Sequence, residues 1–169
     1  LEETSSGNEL REILAKLFSE VKPEDIAMVS YLTLGRISSD YSGIVLGLAE
    51  KTVIKAIAKV GGISEAKAKE ILNQTGDIGL AAETILKKKP QTLIPLDKLK
   101  VEDLFSILHK IPTLSGSGSQ DAKINLLINI LQKASPSGAK YLSRIVLGTL
   151  RLGVAEMAVL DSLSIAFSG

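Results

Sequence analysis

The chain has 169 residues, with 20 basic and 19 acidic side chains, no cysteine and no tryptophan. Without cysteine it forms no disulfide bond and no thiolate metal site, and a net charge of +1 confines any anion-binding surface to local clusters. No apolar run approaches the ~20 residues that cross a bilayer, and no secretory signal pattern is present. We therefore expect a globular domain inside the cell, without a membrane partner.

Helical periodicity dominates the sequence from its first segment onward. Four apolar side chains near the start have the i, i+3, i+4, i+7 spacing of one helix face, and the same spacing recurs around residues 53–57, 124–131 and 159–163. Ser64 is a predicted N-cap for a further helix. Because sustained alternation with a period of two is absent, we predict an all-α domain of roughly ten short helices. The first stripe consists of Leu10, Ile13, Leu14 and Leu17.

A near-repeat suggests that the domain has two similar halves. The run Gly47-Leu48-Ala49-Glu50 resembles Gly153-Val154-Ala155-Glu156, which follows 106 residues later. A repeat so widely spaced favours two halves related by a pseudo-two-fold axis over a solenoid of short units. Three lysines followed by proline predict a helix end and an extended connector over 87–95. The halves would then be residues 1–86 and 96–169.

A loop of small residues is the first candidate binding site. It precedes the predicted helix around Ile124, and at a helix N-terminus the unpaired amides and the positive end of the dipole favour an anion. Lys123 lies one turn into that helix, so its ammonium group can reach the same anion. A flexible loop with Ser119 as an ordinary N-cap explains the same composition. The loop residues are Ser115, Gly116, Ser117, Gly118 and Ser119.

A turn bracketed by two glycines is the second candidate. Gly148 and Gly153 flank Thr149 and Arg151, so the turn would present backbone amides and a guanidinium group just before a helix. Arg144 lies one helical turn before Gly148. An arginine that merely solvates a helix junction is an equally simple explanation.

The remaining conspicuous residues predict no catalytic centre. His109 is the only histidine, so we predict no metal site and no catalytic residue in this chain. P-loops, nucleophile elbows and dinucleotide fingerprints are absent from the sequence. Gly61-Gly62 could form the turn of a different helix-hairpin-helix DNA binder, for which Lys59 and Lys67 would matter most.

Three motifs carry a resemblance to a known family. They are the run Gly76-Asp77-Ile78-Gly79 with its continuation to residue 83, the loop segment 114–124, and the segment 147–156. In this order and at compatible spacing they resemble the N-terminal DNA-binding domain of ATP-dependent DNA ligases of the archaeal and eukaryotic replicative type. The resemblance covers essentially the whole chain.

The resemblance implies a role and a set of partners. In that family the domain binds the minor groove of nicked duplex DNA, and adenylation and OB-fold domains, absent from this chain, complete a ring around the DNA. The parent enzyme uses ATP and Mg²⁺ to seal nicks in replication, recombination and repair, in the cytoplasm or nucleoid if the source is archaeal, and a sliding clamp is a further partner to consider. The family's nucleophilic lysine lies in a Lys-x-Asp-Gly context. This chain has no Asp-Gly, so we expect it to be non-catalytic alone and to need no cofactor.

The resemblance also implies which residues contact DNA. The 115–119 loop with Lys123, and the 148–153 turn with Arg144 and Arg151, would contact phosphates and the minor groove. A first-half turn would be their symmetry counterpart, with Ser42, Gly43 and Gly47 as its candidate residues.

Two positions depart from the family pattern. Ala122 stands where the relatives carry lysine, and Thr149 stands where they can carry lysine. Each departure removes one phosphate contact and should flatten the salt dependence of binding by roughly one unit of slope. An α-helical protein-interaction scaffold is the alternative from another class. It predicts a large exposed apolar groove and no dependence of binding on Arg151 or Lys123.

Overall fold

A computed structural model describes residues 1–42, 44, 46, 48–89 and 99–168, except for the side chain of Asp40. Within these ranges the chain forms nine α-helices, two single-turn 3-10 helices and no strand, which confirms the predicted all-α class. No described helix combines the length and apolar character needed to cross a membrane. The α-helices are α1 (Gly7–Glu20), α2 (Ile26–Thr33), α3 (Glu50–Gly61), α4 (Glu65–Thr75), α5 (Ile78–Lys87), α6 (Val101–Thr113), α7 (Ser119–Lys133), α8 (Pro136–Leu147) and α9 (Glu156–Phe167).

Side-chain caps and glycines determine where several helices begin and end. Ser64 accepts a hydrogen bond from the Lys67 amide at 3.2 Å, which confirms it as the N-cap of α4. Asp77 caps α5 in the same way, accepting from the Leu80 amide at 2.7 Å. Each such cap stabilises its helix by about 1 kcal/mol. Gly62 ends α3 in the left-handed conformation.

The main hydrophobic core lies between α3, α5, α6, α7 and α8. It forms because the apolar stripes of these helices face one another, and complete burial of each large side chain contributes about 1.5–3 kcal/mol. A smaller cluster between α1 and α9 contains Leu14, Phe18 and Val159. Fully buried side chains of the main core include Ile54, Ile57, Leu108, Leu127 and Val146.

The two predicted halves pack on each other through two pairs of helices, one helix of each pair coming from each half. The first half contains α1, α2 and α3 in order, and the second contains α7, α8 and α9. α1 packs on α9, and α7 packs on α3, so the first helix of each triplet contacts the last helix of the other. A two-fold relation between two three-helix units would produce this exchange, although the pseudo-symmetry itself remains a prediction. Of the predicted connector, Lys87 belongs to α5, and residues 90–95 lie outside the described part of the chain.

Two helix glycines allow α5 to approach its neighbours closely. A Cβ on Gly61 would lie 2.2 Å from Cγ2 of Ile85, where α3 meets α5. A Cβ on Gly79 would lie 2.7 Å from the carbonyl oxygen of Lys140, where α5 meets α8. Both positions are therefore restricted to glycine by packing.

Candidate nucleic-acid interface

The 115–119 loop forms a tight, exposed turn before α7. Gly116 and Gly118 have positive φ angles of 83° and 80°, and the Ser119 amide donates to the Gly116 carbonyl oxygen at 3.2 Å. Gly118, not Ser119, is the N-cap, so the predicted alternative of an ordinary Ser119 cap is wrong. The reason is the left-handed backbone at the cap position, which glycine adopts without a steric penalty. Gly118 has no side chain to accept from the first-turn amides, so those beyond the Ser119 amide are not capped by a side chain and can bind an external anion.

Lys123 lies on α7 one turn beyond this loop. Its side chain is half-buried and makes no ion pair or hydrogen bond with the described residues. Asp121 occupies the first turn of the same helix and is exposed, so the local charge is mixed. The loop thus offers amides, hydroxyl groups and one uncommitted cation.

The 148–153 turn follows α8 and has a second pair of left-handed glycines. Gly148 and Gly153 have φ angles of 73° and 69°. The Thr149 amide donates to the Arg144 carbonyl oxygen at 2.8 Å, which closes the end of α8. Arg151 is exposed and has no ion-pair partner among the residues described. This turn therefore also presents an uncommitted cation.

Arg144 is already bonded within the protein. Its Nη2 lies 3.0 Å from Oδ1 of Asp77, its Nε donates to the same carboxylate, and its Nη1 bonds Oε1 of Glu2. Burial raises the pKa of Asp77, but hydrogen bonds from Arg144 and from the Leu80 amide outweigh burial and hold this pKa below its usual range. The DNA contact of Arg144 remains a prediction, and any phosphate there must compete with these carboxylates.

Residues on either side of the first-half turn contact the 148–153 turn and the end of α8. The Leu48 amide donates to the Val146 carbonyl oxygen at 3.2 Å, and a Cβ on Gly35 would lie 3.0 Å from Cβ of Leu150. The connection between α2 and α3 therefore lies against the connection between α8 and α9. The Ser42 hydroxyl bonds locally to Ser38 and to the Ser39 carbonyl oxygen. Gly43 and Gly47, the other two predicted residues of this turn, lie outside the described residues.

Several predicted residues of the 148–153 turn line one open cavity of about 730 Å³. Arg144, Thr149, Arg151 and Gly153 line it together. The amino-terminal segment and α5 form its other walls and add two carboxylates, which sequence reasoning missed as site residues. No local pattern marks the amino-terminal contacts, because they depend on segments about 140 residues apart. The additional lining residues are Leu1, Glu2, Thr4, Ser5, Leu10, Asp77 and Leu152.

The structure also bears on the two alternative functions, a helix-hairpin-helix DNA binder and a protein-interaction scaffold. For the helix-hairpin-helix alternative, Lys59 is exposed, but Lys67 pairs with Glu70 at 2.9 Å. For the scaffold alternative, α9 leaves Met157 and Leu160 more than half exposed, and a largely apolar cavity of about 490 Å³ lies beside α1, α2 and α8. His109 bonds the Phe105 carbonyl oxygen at 3.0 Å, and no metal-binding group of side chains occurs among the described residues.

Comparison with known proteins places this arrangement in context. The family model described as DNA ligase N terminus matches residues 1–164. Similar relatives include the DNA ligase of Nitrosopumilus maritimus, 42% identical over 169 residues, and DNA ligase 2 of Thermofilum pendens, 42% identical over 176 residues. The probable DNA ligase of Persephonella marina is 40% identical over 169 residues. Each match covers 100% of this chain and 29% of the relative, so the chain spans less than a third of their length.

Proposed function

Because this chain belongs to the family of DNA ligase N-terminal domains, we propose that it binds nicked duplex DNA and orients it for a ligase whose other domains perform the chemistry. It does so through the phosphate backbone and the minor groove, without selecting a sequence. The observation that carries the proposal is the presence of two exposed glycine turns, each beside a cation with no described ion-pair partner, Lys123 or Arg151.

The chemistry of the two turns suits a duplex backbone. Glycines allow close approach, and the amides, hydroxyl groups and cations all donate to phosphate oxygens. Such contacts position a protein on DNA but carry no sequence information directly. Aromatic residues make up 4% of the chain and none is tryptophan, which gives little basis for stacking on single-stranded bases. Duplex binding without sequence preference is therefore the function that these groups support best.

The parent protein would be an ATP-dependent DNA ligase. ATP would adenylate a lysine in another domain, AMP would pass to the 5′-phosphate at the nick, and the 3′-hydroxyl would attack with Mg²⁺ present. The lysine is assigned elsewhere because this chain has no Asp-Gly dipeptide. The adenylation and OB-fold domains would be its partners within the ligase, and a sliding clamp would be a partner in replication, recombination and repair.

Fluorescence anisotropy tests the binding proposal directly. The 169-residue chain is titrated into labelled nicked duplex, intact duplex and single strand at several salt concentrations. We expect duplex binding that weakens linearly in log salt, because each neutralised phosphate contributes a slope of about 0.9. Absence of duplex binding at low salt, or a clear preference for single strand, would overturn the proposal.

A further inference from the structure

Three donors on one face of α8 converge on a single carboxylate. Lys140 Nζ lies 2.5 Å from Oε2 of Glu2, and the Tyr141 hydroxyl donates to the same oxygen at 3.1 Å. Arg144 Nη1 bonds the other oxygen, Oε1. Tyr141 and Lys140 precede Arg144 by three and four residues, so both lie beside it on the helix surface. We call Lys140, Tyr141 and Arg144 the α8 donor cluster.

Arg144 is held in place independently of Glu2. Asp77 bonds Nε and Nη2 of Arg144, which leaves Nη1 directed toward Glu2. Lys140 and Arg144 are 15% and 16% exposed, and Lys140 Nζ lies 5.2 Å from the centre of the Tyr141 ring. Two cations and a hydroxyl group are thus ordered around one anion, which is also the arrangement that a phosphate requires.

The electrostatics agree with this geometry. The hydrogen bond from Lys140 is the largest influence on the pKa of Glu2 and lowers it, against the effect of burial. The same contact raises the pKa of Lys140. Glu2 is therefore anionic at neutral pH, and its carboxylate satisfies the cluster in the free protein.

The cluster opens onto the proposed DNA-binding cavity. Glu2 and Arg144 line that cavity together with Thr149 and Arg151. Glu2 is 31% exposed, whereas Lys140 and Arg144 are 15% and 16% exposed, so the Glu2 side chain is the most accessible of the three. An anion in this cavity therefore competes with Glu2 for Arg144.

We propose that the α8 donor cluster is a phosphate site of the DNA interface, and that the Glu2 carboxylate occupies this site until a DNA phosphate displaces it. The inference rests on the proposed function. A backbone phosphodiester carries one negative charge and accepts the same N–H and O–H bonds as the carboxylate, so the exchange preserves the local charge balance. Glu2 lowers the apparent affinity because the chain binds fully only while Glu2 is displaced.

Neutralising Glu2 tests the proposal, with its neighbour as the control. Glu3 is exposed and has no hydrogen bond or ion pair to the described residues, so Glu3→Gln makes the same charge change without touching the cluster. We expect Glu2→Gln to bind duplex about two- to fivefold more tightly, the range for losing a partly exposed competing ion pair. Its salt dependence should steepen by at most about 0.9, because the parent chain makes the same phosphate contact whenever Glu2 is displaced. Glu3→Gln should change affinity by less than about twofold.

Lys140→Met is the second test variant, because methionine is also long and unbranched but carries no charge. In the Glu2→Gln background it should abolish the gain in affinity, as expected for two residues that share one site. Thermal unfolding of every variant confirms that the chain is folded. Equal affinities of the Glu2→Gln and Glu3→Gln variants would overturn the proposal and indicate that Glu2 only tethers the amino-terminal segment to α8.

Inorganic phosphate distinguishes a DNA site from a general anion site. At matched ionic strength, phosphate should stabilise the Glu2→Gln variant against heat more than chloride does, and should compete with duplex for it. Stabilisation by phosphate without a gain in duplex affinity would overturn the assignment to DNA. Failure of the parent chain and of every variant to bind duplex would instead overturn the proposed function.

Discussion

The 115–119 loop and the 148–153 turn each contain two left-handed glycines, and each lies beside a helix end with a nearby cation. Their surroundings differ. Lys123, beside the loop, has no described ion pair, whereas Arg144, beside the turn, is bonded to Asp77 and Glu2. Glycines and a nearby cation can therefore form a place for an anion whether or not the protein already supplies a carboxylate there. The loop can bind an anion through Lys123 and the turn through Arg151, whereas a contact with Arg144 must first displace an internal carboxylate.

The largest effect should come from disrupting the packing of α5 on α8, which positions Arg144 beside the 148–153 turn. Gly79→Ala places a Cβ 2.7 Å from the Lys140 carbonyl oxygen, so α5 and α8 must separate and Arg144 must move. Overpacking of this kind costs about 1–3 kcal/mol, which we expect as a loss in the free energy of unfolding measured by urea denaturation. Gly7→Ala is the matched control, because its Cβ would meet only the end of the Arg11 side chain, at 3.3 Å. Equal stability of the two variants would contradict the close packing described.

Removing one cation from each region tests whether both contact DNA. Lys123→Ala and Arg151→Ala should each flatten the salt dependence of duplex binding by about 0.9, and the double variant by about twice as much. Anisotropy titrations measure both affinity and slope. Lys16→Ala, an exposed lysine on α1 with no described partner, controls for net charge. A double variant that binds duplex like the parent chain would favour the scaffold alternative.

Acid should weaken the Glu2 and Asp77 ion pairs beside the 148–153 turn before it affects the 115–119 loop. Glu2 and Asp77 have lowered pKa values, with ordinary values of 4.5 and 3.8, so their stabilising effect is complete above those values and is lost as the pH falls through the lowered ones. The melting temperature of the parent chain should therefore fall more steeply below pH 4.5 than that of the double variant Glu2→Gln, Asp77→Asn. Asparagine retains the helix cap. Identical pH profiles would show that these ion pairs do not stabilise the fold.

The smallest expected effect comes from adding a lysine to each region. Ala122→Lys should gain one phosphate contact and steepen the salt dependence by about 0.9, because Lys123 beside it is uncommitted. Thr149→Lys should gain less, since Glu2 and Asp77 line the same cavity and attract the new ammonium group. Comparison of the two slopes in anisotropy measures the difference directly. An equal or larger gain from Thr149→Lys would indicate that the internal carboxylates do not compete with DNA.

Local patterns were sufficient to predict the helices but not their long-range contacts. Apolar spacing identified α1, α3 and α7, and capping chemistry identified the start of α4, because these signals lie within one or two helical turns. The alternative that Ser119 caps α7 is wrong, since serine and glycine both suit a cap position and the left-handed backbone of the turn selects Gly118. The bond between Glu2 and Arg144 joins residues at opposite ends of the chain, and no local pattern encodes it.

The pairing of α1 with α9 has a consequence for how the chain is made. Leu14 and Phe18 emerge from the ribosome about 140 residues before Val159, which completes their cluster. Contacts between residues so far apart in the sequence slow folding, because closing the long loop between them costs conformational entropy before the contacts form. The apolar face of α1 therefore stays without α9 until residues 156–167 have been synthesised, and the smaller cluster forms only then.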